Sequence, residues 1–295
     1  YLKMHKRIIK FFLFFLLPFC CLSCDELNFS TNDEQILLEP SVIIEDKKPS
    51  RDIDENLSES ETNTEGVIFY IRGHNYLSRN EFIEAQRTFE TLINIEPDFA
   101  RAWEGRGQSL LLQGKYLDAI SDFDQAINLK SNFSEAYANR ALAKLALEEG
   151  NYNSPAKKDA IKAIEIKKDS VNAHIVLARI YSMENNLDSA LFHHNESIKI
   201  TNEEDAITFW WRAIFYRDSL KLFKESMDDF NKAISLNPIL PSAYLERAKL
   251  RIIINEEIEI IKKDLIEAIS LSEDPKNPQI IERANKIINS LEKSN

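Results

Sequence analysis

From Gly66 onward the apolar positions recur with a helical period, and the helices they predict recur in turn. The stretch GVIFYIRGHNYLSRNEFIEAQRTFETLINIEPDF (66–99) aligns without a gap on ARAWEGRGQSLLLQGKYLDAISDFDQAINLKSNF (100–133). Each opens on an aromatic, Phe69 or Trp103, with Gly73 or Gly107 four residues later. Tyr76 or Leu110 continues the first apolar face, and Asn80 or Gly114 marks a turn. A second helix then carries Phe82 or Tyr116, Ala85 or Ala119, and Phe89 or Phe123, and ends near Ile95 or Leu129. The small residues, Gly73 with Ala85 and Gly107 with Ala119, predict where the two helices of a unit touch.

Four more units follow with drift. Residues 134–170 carry Tyr137, Ala141, Ala156, Ala160 and Ala163, with three extra residues between the helices, where Ser154 is placed to cap and Pro155 to open the second helix. Residues 171–206 carry His174, Ala178, Tyr181, Ala190 and His194. Residues 207–240 carry Trp210, Phe223, Phe230 and Ala233, and residues 241–275 carry Tyr244, Ala248, Leu265 and Ala268. NPQIIERANKIINSLEKS then predicts an amphipathic helix that covers the last apolar face. The pattern resembles the tetratricopeptide repeat, W-x2-L-G-x2-Y…A-x3-F…P over about 34 residues. The resemblance implies an all-α fold: a right-handed α-solenoid of tandem helix-turn-helix repeats with a C-terminal capping helix. Arg72, Arg106, Arg140 and Arg247 stand where the pattern favours Leu. Their stems are expected on the core edge, with the guanidinium groups in water.

The first 65 residues follow a different logic. Lys3, Lys6, Arg7 and Lys10 precede FFLFFLLPF (11–19), a run about half the ~20 residues of a bilayer-spanning helix. A basic start and a short apolar core predict a secretory signal peptide over residues 1–23. Ser23-Cys24 resembles the lipobox of bacterial lipoproteins, which implies lipidation of Cys24 and cleavage before it. Cys20, Cys21 and Cys24 are the only cysteines. The C-x-x-C of Cys21 and Cys24 lacks the second ligand pair or βαβ setting that zinc or redox chemistry needs, and a cysteine-free remainder suits an exported chain. Residues 25–65 hold 13 acids against three bases, so a disordered acidic tether is expected over residues 24–65. This segment supplies most of the formal net charge of −11.

Candidate chemistry is sparse. GQSLLLQGK (107–115) lacks the spacing of a phosphate loop, and both its glycines have places in the repeat. His193 and His194 are adjacent on a helix and diverge by about 100°, and His194 fills an aromatic core slot. The negative charge and the absence of a basic stripe argue against nucleic acid. No cofactor, metal or enzymatic activity is expected. The repeat resemblance implies a concave protein-binding groove lined by Tyr70, His74, Gln108, Leu112, Asn139, Ile175, Arg179, Trp211, Phe215 and Lys249. Trp211 and Phe215, one turn apart, are expected to form its apolar anchor, with Arg179 and Arg212 facing a carboxylate. Trp103 and Trp210 are expected in the core. The two-carboxylate clamp of chaperone-binding repeats is not reproduced: Asn139 matches, whereas Glu104, Gln108, Asn172 and Val176 do not. The expected function is a membrane-anchored, extracytoplasmic scaffold or assembly factor that binds other envelope proteins or peptides. The alternative is a surface-displayed structural or adhesin lipoprotein.

Overall fold

The computed structural model describes residues 64–147, 155–273 and 277–293. Residues 1–63, with Cys24 and most of the acidic stretch, lie outside the described residues, as does Ser154. The described elements are helices: α1 (Thr64–Ser78), α2 (Phe82–Ile95), α3 (Ala100–Leu112), α4 (Tyr116–Leu129), α5 (Ser134–Leu147), α6 (Pro155–Ile166), α7 (Val171–Met183), α8 (Leu187–Ile200), α9 (Ala206–Phe215), α10 (Phe223–Leu236), α11 (Pro241–Ile253), α12 (Ile258–Ser270) and α13 (Pro278–Lys293). A π-helical segment, Tyr216–Leu220, follows α9 directly.

The turns explain why the helices pair. Asn80, Gly114, Asn185, Lys221 and Asn255, one in each of five inter-helix turns, adopt positive φ between 55° and 75°. That conformation reverses the chain in few residues and suits Gly and Asn, whereas Lys221 adopts it at a steric cost. The helices of a pair then close on small residues. A Cβ on Gly73 would lie 2.5 Å from the Phe89 ring, and one on Gly107 would lie 2.7 Å from Phe123. Ala85 and Ala119 are fully buried on the opposite helices. Gly105 receives Phe89 from the preceding pair, with 2.5 Å left for a Cβ, so one phenylalanine joins two repeats.

An ionic contact repeats with the same regularity. Arg106 donates through Nε and Nη2 to both carboxylate oxygens of Asp122 at 2.7 Å, linking α3 to α4. Arg140–Asp159, Arg212–Asp229 and Arg247–Asp264 repeat this two-pronged contact in the third, fifth and sixth pairs. The remaining Nη1 of three of these arginines reaches the preceding pair, at Asp124, Asn195 and Asn231. Each guanidinium also lies over the aromatic three residues before it: Trp103, Tyr137, Phe209 or Tyr244. The expectation of guanidinium groups in water is therefore corrected for Arg106, Arg140 and Arg247. Only Arg72, whose aspartate position holds Thr88, remains exposed over Phe69.

These contacts also correct the register of the fifth unit. Phe209, not Trp210, occupies the position of Trp103, because Arg212 and Ala213 follow it at the spacing of Arg106 and Gly107. One extra residue separates the helices here, and the π segment and Lys221 take it up. At the end of the array, α13 places Ile280, Ala284, Ile287 and Leu291 against Leu245, Ile261 and Leu265.

Ala119 has no exposed surface where α4 meets α3. Ala119→Trp is expected to overpack this contact and cost at least about 1–3 kcal/mol. Urea unfolding followed by helical circular dichroism measures it; an unchanged midpoint contradicts the packing.

Candidate functional site

The first helices of neighbouring pairs approach one another, α1 to α3, α3 to α5, α5 to α7 and α7 to α9. The first helices therefore line the inner side of the array. The positions of Tyr70 and His74 recur in the other first helices as Glu104 and Gln108, Ala138 and Leu142, Ile175 and Arg179, Trp210 and Ile214, and Leu245 and Lys249, most of them buried.

At the N-terminal end Tyr70 is buried, edge-on to His74 at 4.5 Å and to Phe99 at 5.8 Å. Burial pushes its phenol up to about 12. Burial likewise holds His74 down at about 4, and its buried Nε2 has no hydrogen-bond partner. Next comes a polar ladder across three repeats. Asn172 Nδ2 donates to Asn139 Oδ1 at 3.1 Å, and Asn139 Nδ2 donates to Glu104 Oε1 at 2.8 Å. Gln108, Leu112 and Ile175 are buried.

Several expected groove residues are placed elsewhere. Trp211 and Phe215 are 2% and 3% exposed, so they are packed inside rather than presented as an anchor. Phe215 lies against His194, with ring centroids 5.0 Å apart. The physical reason is the extra residue in the fifth unit: it moves both side chains one position around the helix, from the lining into the contact between repeats. Arg212 is committed to Asp229 and Asn195. Lys249 is buried and donates to Glu246 Oε1 at 2.8 Å, while Arg217 Nη1 donates to Glu246 Oε2 at 2.7 Å. Burial raises the Glu246 carboxyl, but the Lys249 and Arg217 charges outweigh it and hold it at about 2.

Arg179 is the described lining arginine that keeps no acidic partner. Its guanidinium lies over the Trp211 ring at 4.4 Å, and its Nη1 is buried without a hydrogen bond. Burial lowers its pKa to about 10, against a smaller opposing effect of Tyr116. Trp210 lies in the core, as expected, although the register around it shifts by one position. It is 3% exposed, and its Nε1 is likewise buried without a partner. The signal was present in Phe209, Arg212 and Ala213, which repeat the spacing of Trp103, Arg106 and Gly107.

The fourth pair holds a second polar cluster. His174 and His193 face each other with their Nδ1 atoms 2.9 Å apart. His174 Nε2 donates to Lys168 O at 3.1 Å, so its Nδ1 accepts from His193. Tyr181 stacks on His193 at 5.4 Å. Burial lowers both pKa values, that of His193 to about 4 with a further contribution from His174. His194 is lowered to about 3 by burial, then by Arg212, His193 and Arg179. Among the described residues, no group of three or more His, Cys, Asp or Glu is placed to hold a metal.

Residues 72–134 match the tetratricopeptide repeat family. A chain of the Cut9–Hcn1 hetero-tetramer of the APC/C superposes with a TM-score of 0.63 and 19% identity, covering 79% of this chain and 44% of its own. This protein thus spans less than half of that one. A tetratricopeptide repeat protein from Parabacteroides merdae ATCC 43184 gives a TM-score of 0.59 at 20% identity, over 79% of this chain and 88% of its own. TTC0263, a thermophilic repeat protein of Thermus thermophilus, gives 0.57 at 15% identity, over 63% and 99%. No curated protein matches in sequence. The fold is an all-α solenoid of the tetratricopeptide type.

Two outcomes follow from the placements above. Trp211→Ala empties a buried site and is expected to cost about 3–5 kcal/mol in urea unfolding; a wild-type midpoint contradicts the burial. His194 stands where Phe89, Phe123 and Phe230 stand in other repeats. The depressed histidines remain neutral in the fold, whereas the unfolded chain takes up protons below about pH 6.5. Stability is therefore complete above that pH and falls as pH drops from about 6.5 towards 4. His194→Phe is expected to raise stability and to flatten this slope by up to about 1.4 kcal/mol per pH unit. Urea midpoints between pH 7 and 5 measure it, and an unchanged slope contradicts a buried neutral His194.

Proposed function

We propose that this protein is a membrane-anchored, extracytoplasmic scaffold or assembly factor of a bacterial envelope, which captures a protein segment along the inner face of its repeats. The observation that carries this reading is the inner face itself. It carries the polar ladder Asn172–Asn139–Glu104 and the half-buried Arg179, whose Nη1 has no hydrogen-bond partner among the described residues. The anchor rests on Ser23-Cys24 behind the basic and apolar start, and the 13 acids of residues 25–65 form a spacer between membrane and repeats. Two or three acyl chains anchor durably, since each buried CH2 contributes about 0.8 kcal/mol.

Cys24→Ala is expected to abolish incorporation of labelled fatty acid and leave an uncleaved precursor. Labelling that persists in Cys24→Ala but is lost in Cys21→Ala assigns the anchor to the wrong cysteine. Affinity capture from mildly solubilised envelopes tests the scaffold. Protease treatment of intact cells separates the periplasmic scaffold, which is protected, from a displayed adhesin, which is removed.

A further inference from the structure

The fourth pair lacks the Arg–Asp fork that the second, third, fifth and sixth pairs carry. In the place of the fork, a hydrogen bond joins His174 on α7 to His193 on α8, with their Nδ1 atoms 2.9 Å apart. His174 is buried and His193 half-buried. Tyr181 of α7 stacks on the His193 ring at 5.4 Å, and Phe192 meets it edge-on at 5.2 Å. The charges around the two rings come from several helices. Lys157 of α6 lies over the Tyr181 ring and is paired with Glu184, at the end of α7. Glu196 of α8 favours protonation of both rings, but burial opposes it more strongly. His194, next along α8, lies against Phe215 of α9 and feels the charges of Arg212 and Arg179.

We propose that the fourth pair is an acid-sensitive joint, at which the array loosens on acidification while the fork-held pairs on either side stay closed. The geometry limits how many protons the closed pair holds. Two neutral rings are bonded because one Nδ1 donates and the other accepts. One added proton is tolerated, since a charged ring still donates to a neutral one. A second leaves two donors and two positive charges facing each other at 2.9 Å, and the rings must part. The closed pair therefore holds at most one proton, whereas the opened pair holds two. The form that binds more protons gains population as pH falls. The joint is thus fully closed above about pH 6.5 and weakens below it. Both rings have lowered pKa values, which gives the same direction. Arginine and aspartate do not ordinarily titrate between pH 7 and 5, so a fork gives its pair no such dependence. Helix α7 also carries Asn172, bonded to Asn139 of the preceding pair, and Arg179, stacked on Trp211 of the next. Loosening it uncouples the two ends of the inner side. The proposal stands on the repeats alone and is independent of the anchor and of any partner.

Hydrogen exchange of the detergent-solubilised full chain at pH 7, 6 and 5, read by mass spectrometry and corrected for intrinsic exchange rates, tests the joint. Protection is referred to α3 and α4, which the Arg106–Asp122 fork holds together. One additional proton on a histidine of ordinary pKa favours the open form about twentyfold between pH 7 and 5. Water reaching the half-buried His193 moderates this, so protection of α7 and α8 is expected to fall at least about fivefold. His194→Phe removes the neighbouring titration and is expected to leave a fall of that size. Adding His193→Gln removes the limit on protons, because an amide either donates to His174 or accepts from it. The fall is then expected to shrink below about twofold. In the same His194→Phe chain, His174→Tyr with Leu177→Arg and His193→Asp transplants Tyr244, Arg247 and Asp264 of the sixth pair, with the same expected result.

A fall in α7 and α8 no larger than in α3 and α4 overturns the proposal, as does one that His194→Phe alone abolishes. A fall that persists with His193→Gln, or in the folded transplant, overturns it as well. Should the transplant fail to fold, His193→Gln decides alone.

Discussion

The two-pronged contact between an arginine of a first helix and an aspartate of the second sets the frame of the array. A repeat protein has no global core to fix its register, because each unit meets only its neighbours. Apolar contact alone is weakly directional, and an alanine face against a phenylalanine tolerates sliding. A guanidinium fork on a carboxylate does not. Arg140, Arg212 and Arg247 extend this control outward: after gripping their own second helix, each reaches the second helix of the preceding pair. One side chain thereby ties three helices, and the aromatic three residues earlier holds its stem in place. Breaking one partner of such a contact leaves a desolvated charge, a larger loss than the pair's own net contribution.

The fourth pair departs from this rule. Leu177 stands in the arginine position and His193 in the aspartate position, so the ionic contact is gone. His174 fills the aromatic position and keeps its other duty. Its Nε2 donates to Lys168 O, six residues back, as Trp103 Nε1 donates to Pro97 O and Tyr244 Oη to Pro238 O. The freed Nδ1 then accepts from His193, and a neutral bond replaces the charged one. The arginine of this helix sits two residues further on, at 179, on the inner face instead of the outer. The exchange moves a positive charge from the inter-helix contact to the inner side at the middle of the array.

Much of this was legible in the sequence. The helical period, the Gly and Ala contacts, the positive-φ turns at Asn80 and Gly114 and the covering helix at the end all show as local pattern. The arginine contacts did not, because their partners lie 16 to 19 residues away and vary with turn length. The fifth unit shows the consequence. Keeping the spacing of Trp103 to Phe123 between Trp210 and Phe230 conceals one extra residue in the turn, which the π segment absorbs. Trp211 and Phe215 then look like groove residues, although both are buried. Arg212 and Ala213 carry the correct register, but only once the arginine is known to be a fixed structural position rather than a tolerated substitution for leucine.

The two faces of the first helices divide the polar groups between them. On the outer side the arginine forks meet aspartates, and their third nitrogens meet Asp or Asn wherever the preceding repeat supplies one. On the inner side Glu104, Asn139 and Asn172 hydrogen-bond one another, while His74 and Arg179 each keep a buried nitrogen with no partner among the described residues. Stability alone favours the opposite arrangement, since an apolar residue at any of these positions avoids the cost. The outer contacts hold the helices rigid enough for that cost to be carried. A loosely packed array would rotate these side chains into water and lose their alignment. The ionic frame thus gives the first helices a rigidity that holds the partly buried polar groups of their inner side in place.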